Sequence, residues 1–282
     1  MTSILRAAHA HGKGLKLLDS NPQRAAEHFL RGLEHAPDRG SVLFFLRSGL
    51  AEAYVSIGAV NKAVTVLQAI VASALEDRDL DVLTRGTYRM GFTGITAEAA
   101  CLDALDEIAD LYEEAGDHDA RLAALERLAE VCKTTTELKR RASTLRRIAR
   151  TQNDIGRRDD ARNTIRLALS EAEQVNDTLC HAKALIVEAM ILWNLGERTA
   201  AHNRLVTSTD VFQKAADRCG QSDVASQYGV FALDVGDLAA ARVHFTSALE
   251  LGRAAASDLR IHSAQVWLDH VQLRLDSEEL DR

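Results

Sequence analysis

Three short clusters carry residue types that could do chemistry. His118-Asp119 pairs two metal-ligating side chains, His9 and His11 stand two apart, and Gly12-Lys13-Gly14 has the composition of a phosphate loop. Each fails on spacing or context. No second His/Asp pair follows at helical phase, so His118-Asp119 reads as a turn histidine with an N-capping aspartate. Residues two apart point to different sides of a helix, so His9 and His11, near a flexible terminus, do not share a metal. The Gly-Lys-Gly stretch lacks the preceding strand and the glycine spacing of a phosphate loop, and no GxGxxG or GxSxG appears. Cys101, Cys132, Cys180 and Cys219 form no CxxC pair and sit in or beside helical stretches, so buried, reduced thiols are expected. The reading is a chain without catalytic residues, metal or cofactor.

Charge is the more informative chemistry. Residues 98–119 hold nine acidic side chains, among them Asp103, Asp106 and Asp110, and no Lys or Arg. Residues 137–166 hold ten basic side chains, including Arg146 and Arg150, against four acidic ones. The whole chain nevertheless carries a formal net charge of −7, which argues against general binding to nucleic acid or an anionic membrane. No stretch reaches the roughly 18 consecutive apolar residues of a membrane span, and the N-terminus lacks a leader-like apolar core, so a cytoplasmic location is expected.

The elements that position these charges follow from a period. Gly116, Gly156, Gly196 and Gly236 recur every 40 residues, each followed by a charged residue. Seven positions before each stands a small residue: Ala109, Ala149, Ala189 and Gly229. Five positions after stand Ala161, Ala201 and Ala241, with Ala120 one place early in the remaining unit. Small residues at fixed phase on facing helices allow close crossing, so each glycine turns a helical hairpin. Gly58, between Ala51 and Ala63, and Asn21-Pro22, between Gly14 and Ala26, extend the phase upstream. With 46% apolar residues, 2 Pro and 5% aromatics, the composition is that of an all-α chain. The expectation is one domain over 1–282: six hairpins with turns near 21, 58, 116, 156, 196 and 236, plus a C-terminal capping helix over 257–276 with a polar outer face.

One interval breaks the period. The turns at 58 and 116 are separated by 18 residues more than the others, and the surplus falls in 77–96, where Gly86, Gly91 and Gly94 accompany Tyr88, Met90 and Phe92. Glycines at that density disfavour a continued helix, so a loop or short extra helix is expected, with Tyr88, Met90 and Phe92 as candidate contacts.

The recurring pattern resembles the tetratricopeptide repeat, most fully in Gly229, Gly236-Asp237, Ala241, Phe245 and Ala248, and also in Ala109, Tyr112 and Gly116-Asp117. The 40-residue spacing is similar to the longer-helix branch of kinesin light chains, Pins-type adaptors and bacterial maltose-activator sensors. The resemblance implies a right-handed superhelical solenoid whose first helices line a concave, peptide-binding face. On that face would lie Asp103, Asp106 and Asp110, then Arg146, Arg150 and Asn153, then Lys183, Ile186, Met190, Trp193 and Asn194. Aromatic, Met, Arg and amide groups combine apolar contact with oriented hydrogen bonds. The expected function is an interaction module or adaptor that binds a peptide or helix of another protein. Two alternatives stay open: a sensor array that binds a small molecule or signalling peptide to control an effector, and pairing of the acidic and basic strips with each other. Self-association through a terminal hairpin edge or the insertion is a further expectation.

Overall fold

The computed structural model describes residues 3–37, 41–76 and 96–280. The insertion reading, with Tyr88, Met90 and Phe92, therefore lies outside the described residues. Among those described there are thirteen helices and no strand. They are α1 (Ser3–Leu17), α2 (Pro22–Leu33), α3 (Ser41–Ser56), α4 (Val60–Glu76), α5 (Ala97–Glu114) and α6 (His118–Thr134), followed by α7 (Leu138–Asp154), α8 (Arg158–Gln174), α9 (Thr178–Asn194), α10 (Arg198–Lys214), α11 (Arg218–Asp234), α12 (Leu238–Ala254) and α13 (Asp258–Leu280). The chain is an all-α array of helical hairpins, and it divides into two compact units, Met1–Glu137 and Leu138–Arg282.

Local chemistry explains why the helices stop where they do. Gly58, Gly116, Gly156, Gly196 and Gly236 all adopt positive φ, between 71° and 82°, the left-handed conformation that ends a helix without a Cβ clash. At 116 the amide of Asp117 donates to the Tyr112 carbonyl, and the Asp117 carboxylate accepts from the Ala120 amide at 3.0 Å. The turn thus caps one helix and starts the next. In the first hairpin Asn21 accepts from the Arg24 amide at 3.1 Å, with Pro22 at the first helical position.

The sequence reading missed half of the turns. Each helix from α6 to α12 is 17 residues long, so turns fall every 20 residues and alternate between glycine and something else. The connections between hairpins place Thr136, Asn176, Ala216 and Ala256 at φ of 61°, 53°, 52° and 50°. An L-residue in that region costs about 1–2 kcal/mol. Part of that is returned by the smaller backbone entropy Ala has when unfolded. Ala216→Gly is therefore expected to raise stability by about 0.5–1 kcal/mol. Urea denaturation checks it, and a loss of stability on substitution would show that the left-handed strain is not present.

Hairpin interiors follow one rule. The small residue before each turn is buried, and a large apolar residue 15 or 16 positions later is buried on the returning helix. Where the small residue is alanine (Ala51, Ala109, Ala149, Ala189), the large one is Leu67, Leu125, Ile165 or Leu205. Where it is Gly14 or Gly229, the large one is Phe29 or Phe245. A Cβ on Gly14 would stand 2.5 Å from the Phe29 ring, and one on Gly229 2.6 Å from Phe245. The volume removed from one helix is added to the other, as close packing requires.

The first unit, α1 to α6, buries Phe29 between Gly14 and Gly49. His11 is part of this core, 5.9 Å from the Phe29 ring and 6.0 Å from Phe45, and burial pushes its pKa down. It sits in a regular helix rather than a flexible terminus. The third hairpin departs from expectation. Its alanine slot is filled by Arg121, 3% exposed, whose Nη2 lies 2.7 Å from the Glu113 carboxylate, and Ala120 is only half-buried. The N-cap of α6 is Asp117, and His118 and Asp119 are exposed in its first turn.

In the second unit, α7 to α13, each hairpin pair packs tightly and the first helices α7, α9, α11 and α13 also touch one another in that order. Its core gathers Phe212, Leu205, Phe231 and Phe245 with their neighbours. Trp267 stacks on Phe245 at 5.5 Å. The terminal helix differs from the polar cap of the sequence reading: Leu259, Val266 and Leu273 are 76%, 52% and 66% exposed. No described helix is long and apolar enough to cross a membrane.

Candidate functional site

The strip read from sequence is best defined in the second unit, because the 40-residue period puts equivalent side chains on consecutive first helices. Arg146, Ile186, Ser226 and Val266 form one such row, and Arg150, Met190, Val230 and His270 the next. Hydrogen bonds confirm the register. The Asn194 amide donates to the Asn153 side chain at 3.0 Å, and Trp193 Nε1 donates to the Asp234 carboxylate at 2.9 Å, each pair 41 residues apart. A position on one first helix thus meets the following position on the next.

These contacts divide the candidates. Asn153 is buried and engaged with Asn194. Trp193 is half-buried, stacked on Phe231 at 4.0 Å with an interplanar angle of 5°, and Arg198 lies over its ring at 5.0 Å. Both join neighbouring hairpins. Ile186 is 9% exposed, whereas Met190 and Lys183 are half-buried and Arg150 is exposed with Asp154 at 4.0 Å.

Arg146 is the exception. It is half-buried, and its Nε is fully buried with no hydrogen-bond partner among the described residues. Burial, reinforced by Arg150 and Arg147, pushes its pKa down, while Asp223 and Cys180 act against that. The Asp223 carboxylate acts on it electrostatically without bonding its Nε. That group is taken from the other side: Arg260 Nε and Nη2 reach the two Asp223 oxygens at 2.8 Å each. Lys183 adds a second cation, since it and Arg146 both act electrostatically on the Cys180 thiol, which burial raises. The result is a partly desolvated positive centre on α7 and α9, suited to an incoming anion.

The acidic candidates belong to the first unit, on α5. Asp103 and Asp110 are exposed and Asp106 is half-buried. Beside them Glu107 has its pKa raised by burial and by Asp110, Glu114, Glu52 and Asp106, the mark of an acid-rich face.

No family model matches the chain, and no curated protein is similar to it in sequence. Solved structures are similar in shape. The apo form of RapI superposes with a TM-score of 0.60 at 9% identity, covering 96% of this chain and 99% of that one. Aspartyl phosphate phosphatase F from Bacillus subtilis gives 0.58 at 13%, covering 96% of this chain and 71% of that one. The TPR-like repeats of a putative kinesin light chain from Podospora anserina give 0.56 at 16%, covering 77% and 99%. The fold is tetratricopeptide-like. At these identities the likeness concerns architecture alone.

Within these tetratricopeptide-like units, sequence reasoning missed two kinds of polar residue. Arg260 and Asp223, 37 apart, carried no motif, yet they form a part-buried two-point ion pair between α11 and α13. Two cysteines also depart from expectation: Cys101 and Cys132 are buried, whereas Cys180 and Cys219 are half-buried near the starts of α9 and α11. The periodic ruler had the means to find the first, because Arg260 stands 41 residues after Cys219, whose carbonyl it also reaches at 3.1 Å.

Proposed function

We propose that the second unit is a protein-interaction module that holds an extended segment of another protein against the layer formed by α7, α9, α11 and α13. The observation that carries this reading is Arg146. A guanidinium whose Nε is buried without a partner is costly to maintain, and a carboxylate supplied by a partner would relieve that cost. Around it the strip offers a second cation, Lys183, and the thioether of Met190, a mixture that suits peptide recognition.

The test uses decapeptides selected on the folded protein from a random display library, then synthesised with a fluorophore. Arg146→Gln is expected to weaken their binding about tenfold or more, the scale of a lost charge-assisted hydrogen bond. Arg166→Gln, an exposed change on α8, is expected to leave it unaltered. Equal affinities for wild type and Arg146→Gln, with helicity intact by circular dichroism, would sink the assignment. Trp193→Ala is a poorer probe, because it also removes the stack on Phe231 and the bond to Asp234.

A further inference from the structure

The same face changes character along the array. On α7 the inner row begins with Arg146 and Arg150, and Lys183 follows on α9. On α11 the charge is cancelled, since Asp223 is held at both oxygens by Arg260, and Val230, seven residues on, is half-buried. On α13 the rows that carry Arg146, Arg150 and Asn153 end in Val266, His270 and Leu273; His270 is exposed, and Val266 and Leu273 are 52% and 66% exposed. The strip is therefore cationic at one end, neutral in the middle and, around one histidine, apolar at the other.

We infer that the occupant of this groove is a segment of another protein that is itself polarised, with acidic side chains over Arg146, Arg150 and Lys183 and aliphatic or aromatic side chains over Val266 and Leu273. The inference rests on the peptide-binding reading above and fixes the chemistry of the peptide's two halves. Charge complementarity selects the acidic end, because anions of the partner meet a guanidinium whose buried Nε has no hydrogen-bond partner among the described residues. Burial selects the other end, since the exposed branched side chains of Val266 and Leu273, two turns apart on one face of α13, gain most from apolar partners. Length follows from geometry. Four helices at about 8–10 Å between axes span about 24–30 Å, which an extended chain crosses in about eight residues at about 3.3 Å each.

The decapeptide selection decides the matter when repeated on three proteins: wild type, Arg146→Gln/Arg150→Gln, and Val266→Ser/Leu273→Ser. Wild type is expected to enrich peptides with Asp or Glu in one half and Leu, Ile, Val or Phe in the other, in one consistent order. The first variant is expected to lose the acidic preference and keep the apolar one, and the second the reverse. All four positions are exposed or half-buried, so the substitutions preserve folding, with circular dichroism as the check. Enriched peptides without a polarity, or the same consensus from all three proteins, would overturn the inference while leaving peptide binding in place. Failure to enrich any peptide on wild type would remove the binding reading and this inference with it.

Discussion

Glu171→Ala is expected to lower the stability of the second unit by about 3 kcal/mol, near the bottom of the range for removing one partner of a buried ion pair. Glu171 on α8 is 4% exposed, and its one bonded oxygen accepts from Arg141 Nη1 on α7. The Arg141 side chain is 18% exposed, so some water reaches the cation that would be left behind, which places the cost at the lower end. The pair is incompletely satisfied: Arg141 Nε and the second Glu171 oxygen have no hydrogen-bond partner among the described residues. Burial raises the Glu171 pKa, and the charge and hydrogen bond of Arg141 only partly oppose it. Such a pair specifies more than it stabilises. The double change Arg141→Met/Glu171→Met is accordingly expected to recover most of the loss, because apolar side chains of similar volume need no partner. Both tryptophans, Trp193 and Trp267, lie in this unit, so their fluorescence in a urea titration reports its unfolding. The pH dependence has a definite sign. A carboxyl raised in the folded state binds its proton more tightly there, so its contribution falls as pH rises from the unfolded carboxylate pKa through the folded one. Glu171→Gln should flatten that slope. A double variant as unstable as Glu171→Ala would show that the ion pair is a net source of stability.

What the sequence disclosed depended on which residues had no substitute. Gly116, Gly156, Gly196 and Gly236 sit at positive φ where a side chain is strained, so their period was visible and carried the hairpins with it. Thr136, Ala216 and Ala256 adopt the same conformation with residues that show no preference for it. Composition hid those turns, and only an offset of 20 from each glycine could have exposed them. At the third hairpin the same logic failed through chemistry: Arg121 fills an alanine slot because Glu113 is within reach of its guanidinium. The spacing of the first-helix positions was legible as a register, and Asn153–Asn194 and Trp193–Asp234 obey it with a shift of one. Which cation would be left over was not legible. That Arg260 of the terminal helix pairs with Asp223 while the Arg146 Nε is buried without a hydrogen bond is set by packing between side chains far apart in sequence.

Gly229→Ala, a single methyl, is expected to cost about 2 kcal/mol, within the range for overpacking a well-filled core. The new Cβ would stand 2.6 Å from Phe245 Cε1, and Phe245 cannot yield easily: it is fully buried and stacked nearly parallel on Trp267. Phe245→Leu alone is expected to cost about 2 kcal/mol for the opposite reason, since it leaves a gap facing a glycine that cannot fill it. Combined, the two changes recreate the alanine and leucine pairing that Ala109–Leu125 and Ala189–Leu205 already use at the same phase. Residues in contact depart from additivity by about 0.5–3 kcal/mol, and here the departure has a sign. The double variant is expected to be more stable than Gly229→Ala and more stable than the sum of the single losses predicts, with the lost Phe245–Trp267 stack as the residual deficit. Four urea titrations, of wild type, both single variants and the double, close the cycle. Simple additivity would mean that small and large residues are chosen independently in each hairpin. A positive coupling would mean that the glycine at 229 is held in place by the ring at 245, and that the hairpin core, like its turn, is specified as a pair.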